Sequence, residues 1–322
     1  MKILQSKEDA SINIVHNGFE TRFVQRSDDY FIIYLSSQKG CQHNCRMCHL
    51  TATGQTNSEY ASVSDFVVQV DKILYELKLQ NKDFSNITKV HFNFMARGDI
   101  LGNTHLPNVW DTISVSIADT IQRFFMENGT QYLQVPKVEF IISTIFPELN
   151  FGNNNFRSRL KETGTHYANV LMSFAHSKYP PRIYYSMYSV NEDVRKKWLP
   201  KSVGYDYALR FLVAYENLLS ISFKKVVNKI HHAFIKGVND SEEEAYNLMA
   251  TLEKPEFTKI KNIAFNIVRY NPYDERYGEE ADIETINKIV QIYKSHGHQV
   301  DIIPRVGRDV KASCGMFVES TD

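Results

Sequence analysis

Three of the chain's four cysteines stand in one short run, SSQKGCQHNCRMC, at Cys41, Cys45 and Cys48, while the last, Cys314, lies near the C-terminus in KASCGMF. This spacing suits three thiolates on one loop that bind three corners of a 4Fe-4S cluster, because a single loop turns too tightly to supply the fourth ligand as well. One iron is then left open. An open iron can chelate the amino and carboxylate groups of S-adenosylmethionine and pass an electron to its sulfonium, which yields a 5′-deoxyadenosyl radical able to abstract unactivated hydrogens. The rival use of these cysteines is a zinc site closed by Cys314 in a non-catalytic binding module. Structural zinc sites more often use paired CxxC knuckles, which this spacing lacks.

Composition narrows the setting. A chain of 322 residues with 43% hydrophobic residues can bury a substantial core, and no apolar run approaches the length of a bilayer span. The N-terminus MKILQSKEDASINIV lacks a charged start followed by an apolar stretch. A soluble cytoplasmic protein without a membrane partner is expected, in a compartment that keeps cluster thiols reduced. Lysine plus arginine equals aspartate plus glutamate at 37 each, so global charge neither marks nor excludes a nucleic-acid partner. Local basic groups occur at Arg195, Lys196, Lys197 and Lys201, at Lys224, Lys225 and Lys229, and at Arg305, Arg308 and Lys311. Most such groups are solvated surface.

The elements that must position these residues follow from periodicity. Strands are expected at 31–36, 89–95, 137–143, 182–188, 229–235, 261–268 and 299–304, and helices at 63–79, 110–125, 205–219, 241–252 and 283–295. The start of the chain reads as irregular, and 150–181 carries no clear assignment. Strands alternating with helices imply parallel strands joined by right-handed crossovers, an open or closed βα barrel. Ligands in such folds gather at the C-terminal strand ends, so the cysteine loop, MARGD at 95–99, Ser143-Thr144, Ser186 and Asn271 would share one rim. Residues 1–30 are expected to form an N-terminal extension and 31–322 the core that carries Cys314. His231 and His232 are adjacent in an expected strand and would point to opposite faces.

Over residues 18 to 318 the sequence resembles the RlmN/Cfr group of radical-SAM RNA methyltransferases. The likeness is carried by SSQKGCQHNCRMC, by MARGDILGN in place of the family's MGMGEPLLN, by IST at 142–144, SMYS in place of SLHA, GVNDS at 237–241, YNPY at 270–273, and VGRDVKASCGMF against RGDDIDAACGQL. The resemblance implies an α/β fold, a partial (β/α)6 radical-SAM barrel with a short N-terminal β extension. It implies a 4Fe-4S cluster on Cys41, Cys45 and Cys48, with S-adenosylmethionine received by Gly98 and Asp99 and contacted by Ser143, Ser186, Met187, Tyr188 and Asn271. It also implies that Cys314 is methylated and then delivers its carbon to carbon 2 or carbon 8 of an adenine, with Glu20 in GFETRF as a proton acceptor. The partners implied are a nucleic acid, RNA before DNA, or a nucleotide, together with an external one-electron donor such as flavodoxin or ferredoxin.

Two departures from the family stand out. The family's second cysteine, seven residues before the first cluster cysteine, releases the methylated base by forming a disulfide; here that position is Tyr34. A phenol cannot form a disulfide, so release would need an external thiol or a partner's cysteine, the covalent adduct would persist, or the chain would run different radical chemistry on a nucleotide or small substrate. The family's accessory RNA-binding region has no counterpart in the 40 residues before Cys41. A shorter nucleic acid, a nucleotide or a target presented by a partner is the substrate this departure favours.

Overall fold

A computed structural model describes residues 1–127, 135–152 and 155–319. The chain opens with β1 (Lys2–Gln5), β2 (Ile12–His16), β3 (Phe19–Ser27) and β4 (Tyr30–Tyr34), each antiparallel to the next. Asn17 and Gly18 turn the β2–β3 hairpin with φ of 50° and 80°. A two-residue loop with both residues left-handed matches the twist of its strands, and Asn-Gly is the pair best able to adopt it.

From β4 onward strands and helices alternate. The cysteine loop and the short α1 (His49–Ala52) lead to α2 (Val63–Leu79), β5 (Lys89–Phe94), α3 (Leu106–Glu127) and β6 (Lys137–Thr144). Next come α4 (Phe156–His176), β7 (Arg182–Ser186), α5 (Glu192–Trp198), α6 (Tyr205–Ile221) and β8 (Lys229–His232). The chain closes with α7 (Glu242–Leu252), β9 (Ala264–Ile267), α8 (Ile283–Ser295) and β10 (Val300–Ile302). The described strands join one sheet in sequence order, and β4 through β10 run parallel, the seven strands that periodicity expected and one more than the six-unit barrel that the resemblance implied. Sequential order with right-handed crossovers puts the helices on one face. Neighbours α2 and α3, α3 and α4, and α4 and α6 accordingly pack together.

The two faces of the sheet differ chemically because side chains alternate along each strand. Phe31 and Ile33 of β4, and Phe92 and Phe94 of β5, join the core beneath the helices, where Trp110 of α3 meets Phe140 of β6 edge-on at 5.6 Å. The alternate residues, among them Tyr34, Asn93, Tyr184 and Lys229, line a cavity of about 330 Å³ on the opposite face. His231 opens onto that cavity, whereas His232 stacks on Phe234 at 4.5 Å on the helix side, as their adjacency requires.

Several elements depart from expectation. The first thirty residues are strands that extend the main sheet. The unassigned stretch contains α4, whose buried residues Thr163, His166, Tyr167, Val170, Leu171, Phe174 and Ala175 keep helical spacing. Arg195, read as surface, is buried: its guanidinium donates to the carbonyls of Met187 and Val203 and to Ser202 Oγ.

Candidate active site

The strand ends build the site. The loop that follows β4 carries Cys41, Cys45 and Cys48, and all three thiols are free. Asn44 within it takes a left-handed φ of 55°, and Cys48 sits immediately before α1, so the loop curls back on itself with the Cys48 amide donating to the Cys45 carbonyl at 3.1 Å. Burial, then their mutual proximity, pushes the Cys41 thiol up to about 12 and Cys45 well above its usual 9. Burial likewise lifts Cys48 to about 11. Lys201 near Cys41 and Arg22 near Cys48 pull the other way, but burial outweighs them, and a thiolate-binding metal group would offset it. Three free thiols on one loop suit, in number and kind, a cluster with one iron open.

The loop after β5 supplies Gly98 and Asp99. Gly98 is left-handed at φ 85°, and a Cβ there would lie 2.6 Å from Gln38 Oε1, so only glycine fits. Asp99 is 5% exposed and accepts from the amides of Leu101 and Ile145 at 3.0 Å and from Thr144 Oγ1 at 2.8 Å. Those donors are neutral. Burial therefore dominates and raises its carboxyl to about 6. Among the described residues no lysine, arginine or histidine pairs with it.

Ser143, at the end of β6, is buried and donates to Asn93 Oδ1 at 3.1 Å. Ser186 ends β7, and Met187 behind it is fully buried with its carbonyl turned to Arg195. Tyr188 takes a left-handed φ of 61°, a conformation rarely held by a bulky residue and one that clusters at functional sites. His232 Nε2 and Asn239 Nδ2 both donate to its carbonyl, at 2.9 and 2.7 Å, and hold it there. Its side chain, like those of Cys45 and Cys314, packs against the small buried cluster that includes Met47, Trp198 and Tyr270.

Cys314 arrives from the far end of the chain. His49, next to Cys48, donates its amide to the Gly315 carbonyl at 3.0 Å, and Asn271 Nδ2 donates to the Cys314 carbonyl at 3.0 Å. Cys314 and Tyr34 line the same cavity, together with Asn271. Burial raises both the Cys314 thiol and the Tyr34 phenol. Gly98, Asp99, Ser143, Ser186 and Tyr188 stand at the strand ends without lining that cavity, and Met187, expected to contact the cofactor, instead packs its side chain in the main core. Asn271 has given both amide contacts to protein carbonyls, those of Arg269 and Cys314, so only its Oδ1 is left for a ligand.

Glu20 calls for a correction. It is fully buried, and its two oxygens accept from Asn13 Nδ2 at 2.8 Å, Arg22 Nη2 at 2.8 Å and Nε at 3.1 Å, Arg97 Nε at 3.1 Å and the Val318 amide at 3.2 Å. A carboxylate so saturated does not fit an accessible proton acceptor; it is the hub of a clamp. Arg22 also donates to the carbonyls of Ser313 and Met316, and Arg97 to that of Val318, so the N-terminal strands grip the segment bearing Cys314. Sequence reasoning missed Arg22 and Arg97. The one available signal was the arginine of MARGD, at a position where the similar family motif has methionine.

No family model matches the chain. A relative from Alkaliphilus metalliredigens named "Probable dual-specificity RNA methyltransferase RlmN" is 23% identical over 329 residues, spanning 94% of this chain and 78% of the relative. The "Ribosomal RNA large subunit methyltransferase Cfr" of Staphylococcus aureus is 26% identical over 290 residues, spanning 88% and 68%. The crystal structure of a radical SAM methyltransferase from Sphaerobacter thermophilus shares the fold, with a TM-score of 0.68 at 17% identity over 98% of this chain and 80% of that one. The resemblance to the RlmN/Cfr group and the α/β fold with a central parallel sheet are both met.

Proposed function

We propose, from the premise that its homologues are the RlmN and Cfr RNA methyltransferases, that this chain is a radical S-adenosylmethionine enzyme. In this reading it methylates carbon 2 or carbon 8 of an adenine in a nucleic acid, RNA before DNA, with Cys314 as the carrier of the transferred carbon. The observation that carries the reading is the strapping of the Cys314 segment to the cysteine loop, through the Gly315 carbonyl and the His49 amide at 3.0 Å. Residues remote in sequence are thereby neighbours.

Cys41, Cys45 and Cys48 would hold a 4Fe-4S cluster, with the site's remaining groups receiving S-adenosylmethionine. When bound, the pair supplies reductive cleavage of the sulfonium, the radical source that an unreactive ring carbon needs. The chain's own residues do the positioning. Asp99, buried among neutral donors, suits the ammonium of the cofactor's amino-acid end, since a buried carboxylate gains most from a cation that completes its shell. Gly98 gives the close backbone approach beside it. Tyr188, Ser143 and Ser186 flank the rim where the nucleoside end would lie. An external one-electron donor of the flavodoxin or ferredoxin kind, and the reducing cytoplasm, complete the requirements. No helix among the described residues is long and apolar enough to cross a membrane.

Tyr34 supports a second reading. The phenol shares the cavity with Cys314 where the similar family has a thiol, so release of a methylated base by an internal disulfide is closed to it. An external thiol would then complete release, or the substrate is a nucleotide handled by different radical chemistry. Mass spectrometry of nucleosides from cells with and without the intact protein tests the proposal. The proposal expects an adenosine with one added ring-carbon methyl only where the protein is present; unchanged adenosine, with a new modification elsewhere, would favour the second reading.

A further inference from the structure

Arg26 is the extra residue of a β-bulge. β3 pairs with β4 regularly as far as Gln25 opposite Phe31, resumes with Ser27 opposite Tyr30, and leaves Arg26 outside the ladder. A bulge bends its strand and re-aims the side chain it carries, and bulges recur beside active sites. Here the side chain faces the cavity that also holds Tyr34 and Cys314. Its Nε is buried without a hydrogen-bond partner, and Nη2 makes a long contact of 3.4 Å to the Tyr34 hydroxyl.

The other cations of the cavity wall are answered. Arg182 meets Glu139 at 2.7 Å, Lys229 meets Asp301 at 2.8 Å, and Arg269 and Arg305 share Glu280. Among the described residues Arg26 pairs with no carboxylate. The wall therefore carries a positive excess whose least-engaged member is Arg26. A planar guanidinium with idle donors matches carboxylate or phosphate oxygens. The carboxylate at hand would be the cofactor's, but Asp99, which suits the amino-acid end, does not line this cavity. A cavity of about 330 Å³ is at the small end for ligand sites and takes one nucleotide, not a duplex.

We propose that Arg26 binds a phosphate of the substrate, so that the cavity admits a single phosphorylated nucleotide, free or turned out of a strand, with its base toward Cys314. The inference rests on the proposed function for the identity of the base alone. Its test needs no turnover. Calorimetry on the anaerobically purified full chain compares adenosine 5′-monophosphate, adenosine and a short single-stranded oligoribonucleotide with one adenosine, for the natural protein, Arg26→Gln and Arg26→Lys. The monophosphate should bind about tenfold or more tighter than adenosine, as a charge-assisted pair provides. Arg26→Gln should erase that gap without weakening adenosine, and Arg26→Lys should keep most of it.

Tighter binding of the monophosphate than the oligonucleotide identifies a free nucleotide as the phosphate's source, and the reverse identifies a strand. Equal affinity for monophosphate and adenosine in the natural protein, no binding of any probe at millimolar concentration, or a gap that survives Arg26→Gln overturns the inference. The comparison in the natural protein decides even if a variant fails to fold. An Arg26-dependent gap would stand although no ring carbon were methylated, and methylation without the gap would spare the function while removing the inference.

Discussion

Asn271 donates its side-chain amide to the carbonyl of Cys314 at 3.0 Å, and its own carbonyl accepts from His49 Nε2 at 3.1 Å, one residue beyond Cys48. A single side chain and its backbone thus tie the late cysteine to the early trio. Two neutral hydrogen bonds of this kind are worth roughly 1 kcal/mol each to stability. Their larger effect is on where Cys314 sits.

Asn271→Ala should therefore separate geometry from folding. The variant is expected to lower the thermal midpoint by only a few degrees, about what 1–2 kcal/mol does in a chain this size. Methyl loading of Cys314 should fall about tenfold or more, because a small misplacement of a reacting atom is costly. Peptide mass spectrometry beside a melting curve reads both.

Glu20→Gln addresses the clamp. Removing the carboxylate leaves Arg22 and Arg97 buried against each other with their shared anion gone, a loss of about 3–5 kcal/mol. Denaturant unfolding should show that loss. The C-terminal segment should also become protease-sensitive before the rest of the chain, because Arg22 and Arg97 hold its carbonyls.

Asp99 gives a pH signature. Its carboxyl rises from 3.8 to about 6 through burial, so between those values the folded chain binds more protons than the unfolded one. Stability from this group is present below pH 3.8 and is lost as pH rises through about 6. Between pH 4 and pH 7 the cofactor-free natural protein should accordingly lose about 2–3 kcal/mol relative to Asp99→Asn, which lacks this titration, whatever the variant's own stability. The same change should weaken S-adenosylmethionine binding. Melting curves from pH 4 to 8 and a binding titration check the two halves.

Much of this architecture was legible in the sequence. The apolar spacing of α2 and α8 marked helices that the structure bounds at Val63–Leu79 and Ile283–Ser295, and Ser62 caps α2 reciprocally with Asp65. α4 stayed hidden because Thr163 and His166 occupy two core positions and Gly164 interrupts the run. The Asn17-Gly18 turn signal was present but unweighted, so β1 to β3 read as irregular. Motif order placed the cysteine loop, Gly98-Asp99, Ser143 and Ser186 at consecutive strand ends. Nothing local could show that Glu20, Arg22 and Arg97, polar residues far apart in sequence, are a buried cluster, since such a cluster exists only once the sheet brings them together.

Tyr34→Cys tests the departure from the related enzymes. The substitution puts a thiol in the cavity that holds Cys314. If the natural chain stalls with a base linked to Cys314, the variant should release about one methylated base per protein without added thiol, ending as a disulfide between the introduced thiol and Cys314, and should turn over further only when a thiol reduces it, while the natural protein releases base only with added external thiol. Counting product per protein with and without a small thiol distinguishes these outcomes.

The most direct measurement of the central claim is the mass of the Cys314 peptide after the reconstituted, reduced protein is incubated with isotope-labelled S-adenosylmethionine. The account predicts a labelled one-carbon unit on Cys314, absent from Cys314→Ala and lost when Cys41, Cys45 and Cys48 are replaced together. A Cys314 peptide that stays unmodified while S-adenosylmethionine is cleaved would contradict it.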